Sequence, residues 1–183
     1  MAIVASDLKF KRSTKSGSAG NSLTQSDPQA SLGKYISTTE VPTSLHSLFT
    51  KMSASDNANG VAQYACVFVH NSHATLTLTG AVVWLNGGDP AGGALVAIAV
   101  DTTASSAIGS SSAQALEAAT ITAPGSSVTG LTYSAPSSSA AGLSLGDIAP
   151  GYCRAVWVRR PGNNTAAASG EAITLSVTGG TLA

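Results

Sequence analysis

Tyr64-Ala-Cys-Val-Phe-Val-His70 decides the fold. It is an almost unbroken apolar run of seven residues, rich in β-branched and aromatic side chains. A strand with one wet face alternates apolar and polar residues. A run without alternation marks a strand covered on both faces. The segments around it have the same character. After the turn Asn71-Ser-His73, Ala74–Leu85 places Leu76, Leu78, Val82 and Trp84 on one face and Thr75, Thr77 and Thr79 on the other, with Gly80 at a position suited to a bulge. Asn86–Gly93 is a turn by composition, and Leu95–Val100 is a further strand.

Tyr152–Arg160 is the second strong strand. It sets Cys153, Ala155 and Trp157 against Tyr152, Arg154, Val156 and Val158. Arg159–Asn164 forms a hairpin-like tip, and Ile173, Leu175 and Val177 alternate with Thr174, Ser176 and Thr178 in the last strand. Shorter strands are expected around Glu117–Thr122, Val128–Ser134 and Gly142–Leu145. About eight short strands punctuated by Gly, Pro, Ser and Asn predict an all-β antiparallel β-sandwich, jelly-roll or immunoglobulin-like. No segment has the length of a parallel crossover helix.

Residues 1–59 read differently. They are polar, and Arg12–Ala30 is rich in Ser, Gly, Gln and Asn, so alone they bury too little apolar area to offset ordering entropy. They are expected to form an extended N-terminal arm and linker to a domain at 60–183. In the arm, Leu8 and Phe10 alternate with Lys9 and Lys11, the period of a short strand. Leu45, Leu48, Phe49 and Met52 fall at helical spacing behind Ser44, predicting one short helix at 44–52. Ser53–Gly60 reads as a loop. The arm's expected contacts with a neighbouring subunit are Ile3, Val4, Leu8, Lys9, Phe10, Lys11, Arg12 and Lys15. Arg159 and Arg160 are a second, smaller contact. Removing residues 1–30 is expected to leave a folded domain.

Charge narrows the function. Only 10% of the residues are charged, against about a quarter in ordinary domains. No Lys or Arg occurs between Met52 and Cys153. Such a surface is poorly protected against self-association, so much of it is expected to face other protein chains. The formal net charge is zero, which argues against a general nucleic-acid binder and against docking on an anionic membrane. The first residues lack a signal peptide's basic and apolar regions, no stretch has the length to span a bilayer, and a cytoplasmic product is expected. Cys66 and Cys153 are too few for a disulfide scaffold and read as buried thiols.

Chemistry-bearing motifs are sparse. Gly142-Leu-Ser-Leu-Gly146 matches a nucleophile elbow, but Pro136-Ser-Ser-Ser-Ala before it and Pro150 after it do not supply the strand-to-helix turn that Ser144 would need. His70 and His73 are three residues apart without a cluster to complete a zinc site. Asp89, Asp101 and Asp147 stand singly, unlike a calcium loop. Asn163-Asn-Thr165 is a formal glycosylation acceptor that carries no weight without a secretion signal. No catalytic residue, cofactor or metal is expected.

Asp7-Leu-Lys-Phe10, Ala30-Ser-Leu-Gly33, Ile36-Ser-Thr-Thr-Glu40, Tyr64-Ala-Cys-Val-Phe-Val-His-Asn71 and Ala74-Thr-Leu-Thr-Leu-Thr79 are followed in order by Ala81-Val-Val-Trp84, Gly142-Leu-Ser-Leu-Gly-Asp147, Ala155-Val-Trp-Val-Arg-Arg160 and Ile173-Thr-Leu-Ser-Val177. In these stretches the chain resembles small tailed-bacteriophage virion proteins of the capsid cement or decoration kind. The Ser/Gly/Lys-rich stretch near Arg12–Asn21 departs from that pattern. The resemblance implies a structural virion protein, assembled in the host cytoplasm, with no enzymatic activity. Its expected partners are the major capsid protein and further copies of itself, as a homo-oligomer with a trimer favoured. A tail, baseplate or fibre-attachment protein is the alternative, and a carbohydrate-binding adhesion module resting on Trp84 and Trp157 is a more distant one.

Overall fold

The computed structural model describes residues 2–16, 23–87, 95–163 and 172–182. Its described strands are β1 (Leu8–Thr14), β2 (Tyr35–Glu40), β3 (Ala62–Asn71), β4 (Thr77–Leu85), β5 (Ala97–Val100), β6 (Ser106–Ala107), β7 (Leu143–Ile148), β8 (Tyr152–Pro161) and β9 (Leu175–Leu182). Two short helices, α1 (Ala54–Ala58) and α2 (Ser126–Thr129), lie between them. Asp89, most of the 86–93 turn, residues 17–21 of the Ser/Gly/Lys-rich stretch, Asn164 and Thr165 lie outside the described residues.

The strands form an all-β antiparallel sandwich. The larger sheet runs β2-β1-β3-β8-β5, with β6 also on β8, and the smaller runs β7-β4-β9. From β3 onward the chain passes repeatedly between the sheets, β3 to β4, β4 to β5, β6 to β7, β7 to β8 and β8 to β9. The central pair is β3 with β8, in register from Ala62 opposite Pro161 to His70 opposite Cys153.

At its β3–β8 centre the larger sheet is buried on both faces. Toward the smaller sheet, Ala65, Val67, Val69, Val156 and Val158 pack with Leu78, Ala81, Val83, Leu145 and Ile148. On the opposite face, Tyr64, Cys66, Phe68, Cys153, Ala155 and Trp157 meet Leu32, Ile36, Ala115, Ala118 and Val128. The second cover is irregular chain drawn mainly from residues 101–135 and 31–36. The unbroken apolar run in β3 follows from this arrangement: each side chain enters one core or the other. Cys66 and Cys153 are buried free thiols. Cys66 lies opposite Trp157 and Cys153 opposite His70, so four residues of strand, about 13 Å, separate them.

Several local expectations are corrected. Leu78 and Ala81 are buried, but so is Val83, whereas Val82 and Trp84 face outward and are half-buried. Gly80, at φ +55, lies where the register with β9 slips between Thr79 and Val82, and the slip reverses the alternation beyond it. No helix forms at 44–52. His46 has φ +60, and the Ser47 carbonyl is taken by Arg12 rather than by a helical N–H. The helix forms instead at Ala54–Ala58, where Ser53 Oγ accepts from Asp56 N–H at 3.0 Å. Glu117 contributes only an isolated bridge to Gly33, and Ser134 one to Ile98. Residues 1–59, expected as arm and linker, supply β1 and β2. β1 is an interior strand, flanked by β2 and β3.

Candidate functional site

β1 carries most of the residues expected to touch a partner, and the sheet gives most of them occupants within the chain. Leu8 and Phe10 point into the core between the sheets, with Ile3 beside it. Arg12 is only 5% exposed. Its Nη1 donates to the carbonyls of Gln25 at 3.0 Å and Ser26 at 2.7 Å, and its Nε to that of Ser47 at 3.0 Å. The planar guanidinium thus ties two irregular segments to one strand. Burial lowers its pKa, partly offset by Asp27.

Lys9 pairs with Glu40 at 3.6 Å. Lys15 reaches Glu117 at 3.3 Å and the Ala118 carbonyl at 3.0 Å, while Lys34 meets the same carboxylate at 3.1 Å. Hydrogen bonding to Lys34 foremost holds the Glu117 carboxyl below its usual range; burial opposes it, and the hydrogen bond to Lys15 adds to the lowering. Lys11 has no ion pair among the described residues. Val4 is 56% exposed.

The two arginines of the hairpin point opposite ways. Arg160 donates to the Thr50 carbonyl at 2.6 Å and to Gln63 Oε1, and lies over the Phe49 ring at 4.8 Å. Arg159, opposite Tyr64, lies on the other face, where Tyr64 and Tyr133 pack edge to face.

Among the described residues, the candidate chemical motifs lie apart from one another. Ser144 is exposed within β7, opposite Val82, and the strand continues to Ile148 without a helix after it. It borders a shallow depression of about 360 Å³ with Val100, Thr102, Leu131 and Leu143. His73 Nδ1 accepts from the N–H groups of Thr75 and Leu76 at 3.1 and 3.0 Å, while His70 Nδ1 is buried without a hydrogen bond. Burial, then the nearby Lys11, lowers the His70 pKa to about 4. Among the described residues, no three His, Cys, Asp or Glu side chains gather as a metal site. Asp147 Oδ1 accepts from Gly80 N–H at 2.8 Å. Trp157 is wholly buried, so it cannot present a sugar-stacking face.

What the fold does bring together is uncharged surface. Lys9, Lys11, Arg12, Glu40, Arg154, Arg159 and Arg160 all lie in the larger sheet. Across β4, β7 and β9 the single charged residue is Asp147. The outward face of the smaller sheet carries Val82, Trp84, Ser144, Ser176 and Thr178. The charge-poor interval foretold between Met52 and Cys153 divides between the sheets, with β3, β5 and β6 in the larger and β4 and β7 in the smaller, which β9 completes from outside the interval. The signal lay in the charge-free composition of Thr77–Leu85 and Leu175–Leu182. No family model, curated protein or solved structure matches the chain.

Proposed function

We propose that this chain is a structural protein of a tailed-bacteriophage virion, a capsid cement or decoration protein that joins neighbouring subunits of the shell. The observation that carries this reading is the segregation of charge, with the smaller sheet holding one ionisable side chain over three strands. Burying such a surface costs little desolvation of charge, whereas a free-standing domain gains solubility from charges placed there. The resemblance of the sequence to small tailed-phage virion proteins supplies the setting.

The mechanism is mechanical. Each copy lies across adjoining capsid subunits, so outward pressure must break its interface as well as theirs before the shell opens. The proposed partners are the major capsid protein and further copies of the chain. The larger sheet, doubly covered at its centre, gives each copy a stiff frame through which to carry load.

Quantitative protein composition of purified particles tests the reading. Copies in fixed proportion to the major capsid protein place the chain in the shell. A far smaller number assigns it to the tail or baseplate, and absence from washed particles removes it from the virion.

A further inference from the structure

We infer that β9 is a self-pairing edge, joining antiparallel to β9 of a second copy about a two-fold axis. Two three-stranded sheets then become one of six strands. This deepens the assembly reading above and rests on it.

The argument begins with how the chain treats its sheet edges. An edge strand exposes a row of backbone N–H and C=O groups, and proteins usually cover, bend or charge it. At β2, Thr38 N–H donates to the Leu23 carbonyl at 2.8 Å, and Gln25 N–H to Thr39 Oγ1 at 2.9 Å. At β5, Ile98 and Ser134 exchange backbone hydrogen bonds of 2.7 and 3.0 Å. β7 is broken by Gly146 at φ +72, slips register against β4, carries Asp147, and has Ser105 Oγ on the Asp147 carbonyl at 3.2 Å.

β9 shares the register slip against β4, between Thr79 and Val82, but among the described residues no segment is bonded along its free side. Leu-Ser-Val-Thr-Gly-Gly-Thr-Leu is eight residues long without a charge or a proline. Among the described residues, the one hydrogen bond reaching it from outside β4 is Ile3 N–H to Thr181 Oγ1, 3.4 Å, near its end.

The nature of the strand selects a second copy as occupant. Antiparallel self-pairing sets each side chain against one from the same short list, so any charge would face its like. β9 carries no charge to repel. A two-fold contact is self-complementary and closes on itself. The zero net charge of the chain adds no long-range repulsion. Val4 and Leu182, 56% and 61% exposed, flank the Ile3–Thr181 contact and extend apolar area past the backbone row.

Ser176 and Thr178 provide the test, because Leu175 and Val177 are the residues of this strand that pack on the core. The full chain, S176K/T178K and S176E/T178E are compared by sedimentation velocity over a concentration series. The parent is expected to dimerise. Each variant alone should dissociate at least about tenfold more readily, the effect of about 1.4 kcal/mol. An equimolar mixture of the two should recover the dimer by placing Lys opposite Glu. Should a variant fail to fold, amide exchange on the parent decides: protection of residues 175–178 must rise with protein concentration.

A parent that stays monomeric throughout, or a lysine variant that dimerises as well as the parent, overturns the inference. A monomeric parent that still binds shells overturns self-pairing and leaves the virion reading standing. A parent that dimerises through β9 but is absent from particles does the reverse.

Discussion

The Trp157 indole donates its Nε1 hydrogen to Asp101 Oδ2 at 2.7 Å, with both side chains almost wholly inside the protein. The same oxygen accepts from Leu116 N–H at 2.9 Å, and Oδ1 accepts from Thr103 N–H at 2.7 Å. One carboxylate therefore fastens the irregular outer cover to the central strand β8. Arg154 adds to this attachment, donating to the carbonyls of Asp101 and Thr103. Replacement of Asp101 by Ala strands three donors at once. The expected loss is about 3 kcal/mol or more, because each buried unsatisfied group costs about 1–3 kcal/mol. A urea titration followed by tryptophan fluorescence measures it.

Gly33 lies where the cover meets the sheet. Its φ is +87, and an added Cβ would stand 1.9 Å from the Leu116 carbonyl oxygen and 2.9 Å from Trp157 Cζ2. Backbone on one side and a buried ring on the other leave little room to relax. Gly33→Ala is expected to cost more than about 2 kcal/mol, combining backbone strain with overpacking. Its thermal midpoint, compared with that of Gly87→Ala at a site with open space around it, isolates the contact.

Arg12 separates structural from partner roles within β1. Lysine at this position keeps the charge but cannot fork to Gln25, Ser26 and Ser47. Arg12→Lys is expected to lower stability by about 1–2 kcal/mol, read from chemical denaturation of the isolated chain. A residue serving only a neighbouring subunit would leave that measurement unchanged.

His70 gives the fold an acid sensitivity of defined sign. Its folded pKa, about 4, lies below the ordinary value of 6.5, so the neutral ring is favoured in the folded state. Its contribution is fully present above pH 6.5 and is lost as pH falls toward 4, by as much as about 3 kcal/mol. Lys11 and Lys9 oppose protonation, and Glu40 favours it. Glu117, whose pKa is lowered, loses its contribution only in the more acid carboxylate range. Stability measured between pH 7 and 4 should therefore fall for the parent and stay flatter for His70→Leu.

Deletion of residues 2–16 is expected to abolish cooperative unfolding rather than leave a folded sandwich. β1 supplies pairing to both β2 and β3, and its loss exposes the edge of the most apolar strand in the chain. Near-ultraviolet circular dichroism and a denaturant titration of the truncated chain check this. The expectation from sequence was the opposite, because polar composition alone does not reveal that Arg12, Ser13 and Thr14 are buried. Ser13 succeeds there by hydrogen bonding: its N–H donates to Ser31 Oγ at 2.9 Å, and Gly33 N–H donates to its Oγ at 2.7 Å.

The pattern of legibility has a physical cause. β3, β8 and the first half of β9 were readable because large side chains occupy them with a clear run or alternation; Gly179–Leu182 has no such pattern. β4 was readable as a strand, but its faces were not, because the shift at Gly80 is a backbone event that a period of two cannot express. β2 was hidden by Ser37, a polar residue that is fully buried. The outer cover was hidden because it packs Ala115, Ala118 and Val128 without period and relies on Asp101 and Gln114. Gln114 donates to the Ala107 carbonyl at 3.0 Å and accepts from Ile36 N–H at 3.1 Å, the latter a contact 78 residues apart in sequence. The candidate surface was legible as an absence of charge. Its assembly from β4, β7 and the distant β9 required the topology.

The central proposal is that the smaller sheet of this chain, with Asp147 as its single charge, is built into a virion. A density map of the intact particle, at a resolution that distinguishes the two sheets, tests it most directly. The account predicts a copy at repeated positions of the shell, with β7-β4-β9 turned against neighbouring subunits and the charged larger sheet turned away. A shell without this domain, or one in which the smaller sheet faces solvent while the larger sheet makes the contacts, would contradict it.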